Sequence, residues 1–173
     1  MLEAQLASDQ ERRDTLAQTH PACQRLLTIP GIGPFTATAL VTAVSDASAF
    51  QNGRQCAAWL GLVPRQHTTG GTERLLGIST RGDPSLRQLL VPGARATIRW
   101  VGPKTDRRSQ WMRHVLERRG TNRTAVAVAN KTARMGWALL TSHQDDQPAT
   151  SSGEQTRGTA AAKGVLVSIF AVL

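Results

Sequence analysis

Along most of the chain, apolar residues recur three and four positions apart, the spacing that lines one face of a helix. Leu2, Leu6 and Leu16 are the sparse apolar positions of a polar stretch that predicts a helix from Leu2 to about Ala17. With so little apolar face such a helix is marginal on its own, so it reads as the end of a longer stalk. His20-Pro21 interrupts it. A short helix is expected over Ala22–Ile29, stopped by Pro30. Pro34 then opens another running to about Val44, because proline suits a first helical turn. Asp46 or Ser48 is the capping candidate for a third helical piece, Arg54–Leu60, which ends at Gly61.

Between Val63 and Asp83 the pattern changes. Thr68-Thr69-Gly70-Gly71-Thr72 has the composition of a turn, and its flanks either pair as a hairpin or stay a loop. Helical spacing returns from Pro84 to about Trp100, with Leu86, Leu89, Leu90 and Ile98 apolar and a kink expected at Pro92-Gly93. Two more helices follow, Trp111–Arg118 and Thr124–Leu140. In the second, Ala125, Val128, Ala129, Thr132, Met135, Gly136 and Leu139 make a core-facing stripe. After Thr141, Ser, Gly, Gln, Asp and Ala dominate, which predicts a disordered tail. The expected fold is mainly α: a stalk end at 1–19, a helical domain at 20–141 with a corner and a loop or small hairpin near 64–82, and a low-complexity tail at 142–173.

At 173 residues the chain can bury a core without staples. The final apolar run, Gly164–Leu173, is far too short to span a bilayer, and no longer one exists, so no membrane is expected. Met1-Leu2-Glu3-Ala4 lacks the basic and apolar regions of a secretory signal. Cys23 and Cys56 are too few for a disulfide framework and lack metal-ligand spacing; a reducing cytoplasm and no metal site are the expectation. The chain has no tyrosine, which excludes a tyrosyl nucleophile here.

Charge is placed unevenly. Residues 1–64 carry four basic and five acidic side chains, residues 65–134 fifteen and four, and residues 135–173 two and three. Of the fifteen cations in the middle block, thirteen are arginines, whose planar fork recognises phosphate bidentately. A basic block between near-neutral flanks is the electrostatic footprint of a nucleic-acid binder. The bland alternative is a charged face that only keeps the chain in solution.

The most specific local signal is Leu27-Thr28-Ile29-Pro30-Gly31-Ile32-Gly33-Pro34-Phe35-Thr36-Ala37. A helix, a Pro-Gly-apolar-Gly turn and a second helix resemble the helix-hairpin-helix DNA-binding motif. Glycines let backbone approach a strand, and the free amides opening the second helix can hold a phosphate without reading sequence. Alternatively Gly31-Ile32-Gly33 is a tight helix–helix corner with Ile32 plugging the core. The glycosylases that share this opening place a catalytic Asp about twenty residues on; Asp46 comes too early, which disfavours them.

A second segment runs Ala57-Ala58-Trp59-Leu60-Gly61-Leu62-Val63-Pro64-Arg65-Gln66-His67-Thr68-Thr69-Gly70-Gly71, then Gly77-Ile78-Ser79-Thr80-Arg81-Gly82-Asp83 and Leu86-Arg87. Together with the corner, this combination resembles the C-terminal domain of transposases of the insertion sequence 110/116/902 family, over about residues 20–140.

The resemblance implies DNA transposition of a bacterial mobile element. Family members join a ribonuclease-H-like N-terminal domain, with a metal-binding acidic quartet, to this C-terminal domain through a helical stalk. The C-terminal domain supplies a serine that attacks a DNA phosphodiester and becomes covalently linked, and a structured RNA guides the choice of DNA. The expectation is therefore a truncated copy, without a cofactor of its own. Glu73, Asp83, Asp106 and Glu117 do not replace the quartet. The expected partners are DNA, a guide RNA, and a homo-oligomer or a separately encoded N-terminal half.

The family's serine position falls on Thr69, before Gly70. Threonine can attack phosphate, although its methyl crowds the approach. His67 is the nearest proton acceptor. Thr68 and Ser79 are the other hydroxyl candidates, and Ser79 has the alternative role of capping the next helix. Arg65, Arg74, Arg81 and Arg87 surround these hydroxyls and would stabilise charge on a reacting phosphate. Lys131 and Arg134, with Arg107, Arg108, Arg113, Arg118, Arg119 and Arg123, are expected on backbone phosphates. His114 is expected at the surface. Trp59, Trp100, Trp111 and Trp137 are expected in the core, the alternative being platforms on which bases stack. Two readings besides the enzyme stay open: a catalytically inactive nucleic-acid-binding remnant, and a helical oligomerisation piece.

Overall fold

A computed structural model describes residues 2–44, 47–69 and 72–142. Their backbone runs α1 (Leu2–Thr19), α2 (Pro21–Leu27), α3 (Pro34–Ala43), a 3-10 turn (Ala47–Ala49), α4 (Gly53–Trp59), β1 (Pro64–Thr69), β2 (Thr72–Ile78), α5 (Pro84–Arg99) and α6 (Arg107–Ser142). The mainly α expectation is met, and the segment near 64–82 is a hairpin. Among the described residues, no helix is long and apolar enough to cross a membrane. The expected tail lies outside the described residues, apart from Ser142.

Helix α6 is two helices in antiparallel return. Gly120 breaks it with φ 74° and ψ 170°, a region open only to glycine. Lys131 Nζ then lies 4.1 Å from the centre of the Trp111 ring, which twenty residues of straight helix would forbid. Residues Ala125, Val128, Ala129, Thr132, Met135, Gly136 and Leu139 are all buried, as their spacing predicts. Their small side chains let neighbours come close. Leu26 of α2 sits against Gly136, and Gly53 at the start of α4 sits against the Arg134 backbone and the Trp137 ring. Trp137 Nε1 donates to the Ala47 carbonyl at 2.9 Å.

Asn52 caps α4 by accepting from the Gln55 amide at 3.0 Å. This replaces the Ser48 expectation; Asp46 lies outside the described residues. Asp83, not Ser79, caps α5, through the Ser85 amide at 2.7 Å. Helix α5 continues through Pro92, which is exposed and has no amide to donate to the carbonyl one turn earlier. Of the tryptophans expected in the core, Trp111 and Trp137 are partly buried, but Trp59 is 41 % and Trp100 75 % exposed. Trp59 instead packs against Phe50, ring centres 5.5 Å apart.

The hairpin stands out from the helical body: among the described residues neither strand packs on a helix. Its pairing is antiparallel, with His67 opposite Arg74, Thr68 opposite Glu73 and Thr69 opposite Thr72. Between the Pro64–Ile78 and Gln66–Leu75 pairs, β2 carries one extra residue. The hairpin's base, by contrast, is tightly held. Ser79 donates its amide to the Val63 carbonyl at 2.8 Å, and Asn130 of α6 donates to the Leu62 carbonyl at 3.1 Å.

Candidate nucleic-acid interface

The corner's two glycines do different work. Gly31 has φ +95°, and a Cβ there would stand 2.8 Å from the Gly93 carbonyl oxygen of α5. Its freedom is therefore used to seat the corner on the protein. Ile32 is buried in the core, as the alternative reading holds. Gly33 differs: it is exposed, caps α3 with extended φ −99°, and a Cβ there would meet nothing within 4 Å. Of the three corner residues, Gly33 leaves its backbone open to a phosphate.

At the base of the hairpin, Gly61 (φ +71°) and Gly82 meet so closely that a Cβ on Gly61 would stand 2.8 Å from the Gly82 amide nitrogen. Arg87 closes this joint. Its Nη1 donates to the Gly82 carbonyl at 2.6 Å and to the Leu60 carbonyl at 3.2 Å. Arg87, expected on a phosphate, thus has one guanidinium nitrogen committed to backbone. Thr80 holds φ 53°, unusual for a β-branched residue, and its hydroxyl donates to the Ser79 carbonyl at 2.8 Å. Arg65, His67 and Arg81 are exposed, and Ser79 is half-buried. Of Thr69 and Arg74 the structure describes the backbone, and the register puts both on the outer part of the hairpin.

Lys131 and Arg134 are not on a phosphate-facing surface. They are 3 % and 8 % exposed. Burial, and then the charges of Arg108, Arg134 and Arg107, bring the Lys131 ammonium down to about 8. Burial and Arg54 lower Arg134 in the same direction. Arg108 reaches from the start of α6 to the Pro30 carbonyl at 3.4 Å, so this cationic group lies beside the corner. The arginine block therefore does not form one face. Part surrounds the hairpin base and part surrounds α6 near Lys131, while Arg95 bonds Asn122 and Arg113 bonds the Gly102 carbonyl. Asn130, which ties down the hairpin, is the neighbour of Lys131, so both groups border one stretch of α6. His114 is exposed, as expected.

Other chemistries find little support. Burial pushes the Cys56 thiol up to about 11 and raises Cys23, so neither is a ready thiolate. Among the described residues no His, Cys, Asp and Glu side chains gather as metal ligands. Asp83 is taken as a cap, and Asp106 accepts from the Ser109 amide at 3.0 Å. Burial works against the Asp106 carboxylate, but its bonds to Ser109 and the charge of Lys104 together hold it below the usual range.

The model of the Transposase IS116/IS110/IS902 family matches residues 23–110, which takes in the corner, the hairpin, α5 and the start of α6. The chain belongs to this transposase family. Relatives agree. A Pseudomonas aeruginosa protein named "Probable family 20 transposase" is 52 % identical over 139 residues, covering 80 % of this chain and 41 % of the relative. The transposase for insertion sequence element IS1111A of Coxiella burnetii is 49 % identical over 132 residues, 76 % of this chain and 36 % of its own. The transposase for insertion sequence element IS1328 of Yersinia enterocolitica is 44 % identical over 133 residues, 77 % and 40 %. This transposase-family chain thus spans about two fifths of the length of those relatives.

Proposed function

We propose that this chain is the DNA-binding C-terminal part of an insertion-sequence transposase, acting in transposition by hydroxyl attack on a DNA phosphodiester. Thr69 is the nucleophile. Its Oγ attacks phosphorus as His67 takes the hydroxyl proton. The bond from phosphorus to one bridging deoxyribose oxygen breaks, that oxygen takes a proton from water and leaves as a hydroxyl, and the strand stays joined to Thr69 as a phosphothreonine ester. Arg65 and Arg81 balance the charge gathering on the phosphate, with Arg74 opposite His67 in register as a third cation. Gly33 holds a neighbouring phosphate by its backbone. The partners this reading implies are DNA, a structured guide RNA and the family's ribonuclease-H-like half with its metal site, in the cytoplasm.

One observation supports the reading: a hydroxyl-bearing hairpin, whose described strand residues do not pack on a helix, rises from a base locked by Gly61, Gly82 and Arg87. A rigid base under an uncovered strand pair is a means of presenting a nucleophile to a large substrate. The test is a nicked suicide substrate that traps a covalent protein–DNA adduct. The adduct is expected with the wild type and with Ser79→Ala, and absent with Thr69→Ala. Salt-dependent binding with no adduct in any variant would establish the competing reading, a binder that cleaves nothing.

A further inference from the structure

Tryptophan is usually mostly buried, yet Trp100 is 75 % exposed at the C-terminal cap of α5. It is not on a loose end. Its amide donates to the Thr97 carbonyl at 3.2 Å, Val101 beside it is buried, and Lys104 donates its amide to the Val101 carbonyl at 3.2 Å. Arg113 Nη1 clamps the next carbonyl, that of Gly102, at 2.8 Å. The ring is thus held out to solvent by fixed backbone, and two further observations say what it meets.

The first is position. Gly31 sits on Thr97 as well as Gly93 of α5: a Cβ on Gly31 would stand 2.5 Å from Thr97 Oγ1. Residues three apart share a helix face, so Trp100 lies one turn beyond the place where the corner docks. The second is charge. Arg99 and Lys104, on either side of Trp100 in sequence, are both exposed. The nearest acid along the chain, Asp106, is taken up in capping α6 through Ser109. An exposed aromatic face with exposed cations close to it along the chain fits a base that has left its stack, with the flanking phosphates on the cations. Bases inside a duplex already stack on each other and offer such a ring no face.

We infer that Trp100, with Arg99 and Lys104, is a stacking platform for an unpaired nucleobase of a strand running past the Gly31–Gly33 corner. This rests on the reading that the chain binds nucleic acid, and adds to it a residue and a strand state.

The full chain is titrated with labelled oligo-dT, oligo-rU and a blunt DNA duplex of equal length, following anisotropy and tryptophan emission. Trp100→Ala is expected to weaken single-strand binding roughly 5- to 150-fold and duplex binding by no more than about twofold. Trp100→Phe is expected to keep most of the affinity, and the emission quenching expected on binding by the wild type should be lost from the Trp100 contribution in Trp100→Ala. A larger loss on dT assigns the base to DNA, a larger loss on rU to RNA. Unchanged single-strand affinity in Trp100→Ala, or equal losses on single strand and duplex, overturns the inference. If the wild type binds none of the three, the nucleic-acid reading itself falls. Circular dichroism of each variant confirms that the fold is kept.

Discussion

Gly31 and Gly93 touch backbone to backbone. A Cβ on Gly31 would stand 2.8 Å from the Gly93 carbonyl oxygen, and one on Gly93 would collide with the Gly31 carbonyl. Gly93→Ala would add about 1 kcal/mol of helix propensity to α5, but it forces α5 and the corner apart. The clash wins, and a net loss of about 2–4 kcal/mol is expected in urea unfolding. Gly33→Ala, with open space around it, should cost less than about 1 kcal/mol yet weaken DNA binding, because the added methyl stands where a phosphate would approach the exposed backbone. Equal stability losses in the two variants would contradict this division of labour.

Arg87 gives a second stability test. Replacing it with Met removes the Nη1 bonds to Leu60 and Gly82 and leaves two carbonyls unpaired at a part-buried joint. A loss of about 2–3 kcal/mol is expected by denaturant unfolding, with only partial recovery in Arg87→Lys. If Arg87→Met keeps its stability and loses only DNA affinity, the side chain belongs to the interface instead.

Lys131 predicts a pH effect. Its folded pKa, about 8, lies below the ordinary 10.5, so above pH 8 the unfolded chain holds this proton more firmly than the folded one. Stability from Lys131 therefore rises with pH from about 8 to 10.5. Cys56, raised from 9.0 to about 11, acts oppositely above pH 9, so the comparison is read between pH 8 and 9. Thermal melts of the wild type should gain on those of Lys131→Met across that window. Parallel curves would show that Lys131 is not desolvated.

The helices were legible because their signals are local. Proline at the first turn marked α3 and α5 closely, Pro21, read as an interruption, opens α2, and the stripe on the last helix is buried at every position. Hairpin and loop are hard to tell apart in sequence because Arg65, Gln66 and His67, described residues of β1, are all exposed and impose no two-residue alternation. The site was harder to read. Arg87, Lys131 and Arg134 look in sequence like any other phosphate-binding cations, and only packing shows one stapling carbonyls and two buried. Gly31 and Gly33 likewise share a motif, while Gly93, the residue that separates their roles, lies in a distant helix. Trp100 was expected in the core for the same reason, since exposure is not written in a single residue's identity.

The central claim is that the exposed cations at the hairpin base hold a phosphate backbone, and the salt dependence of DNA affinity tests it most directly. For about five neutralised phosphates, log K should fall against log salt with a slope near −4.5 between about 50 and 200 mM. Arg65→Gln and Arg81→Gln should each lower the steepness by about 1. A flat slope, or slopes unmoved by both substitutions, would contradict the account.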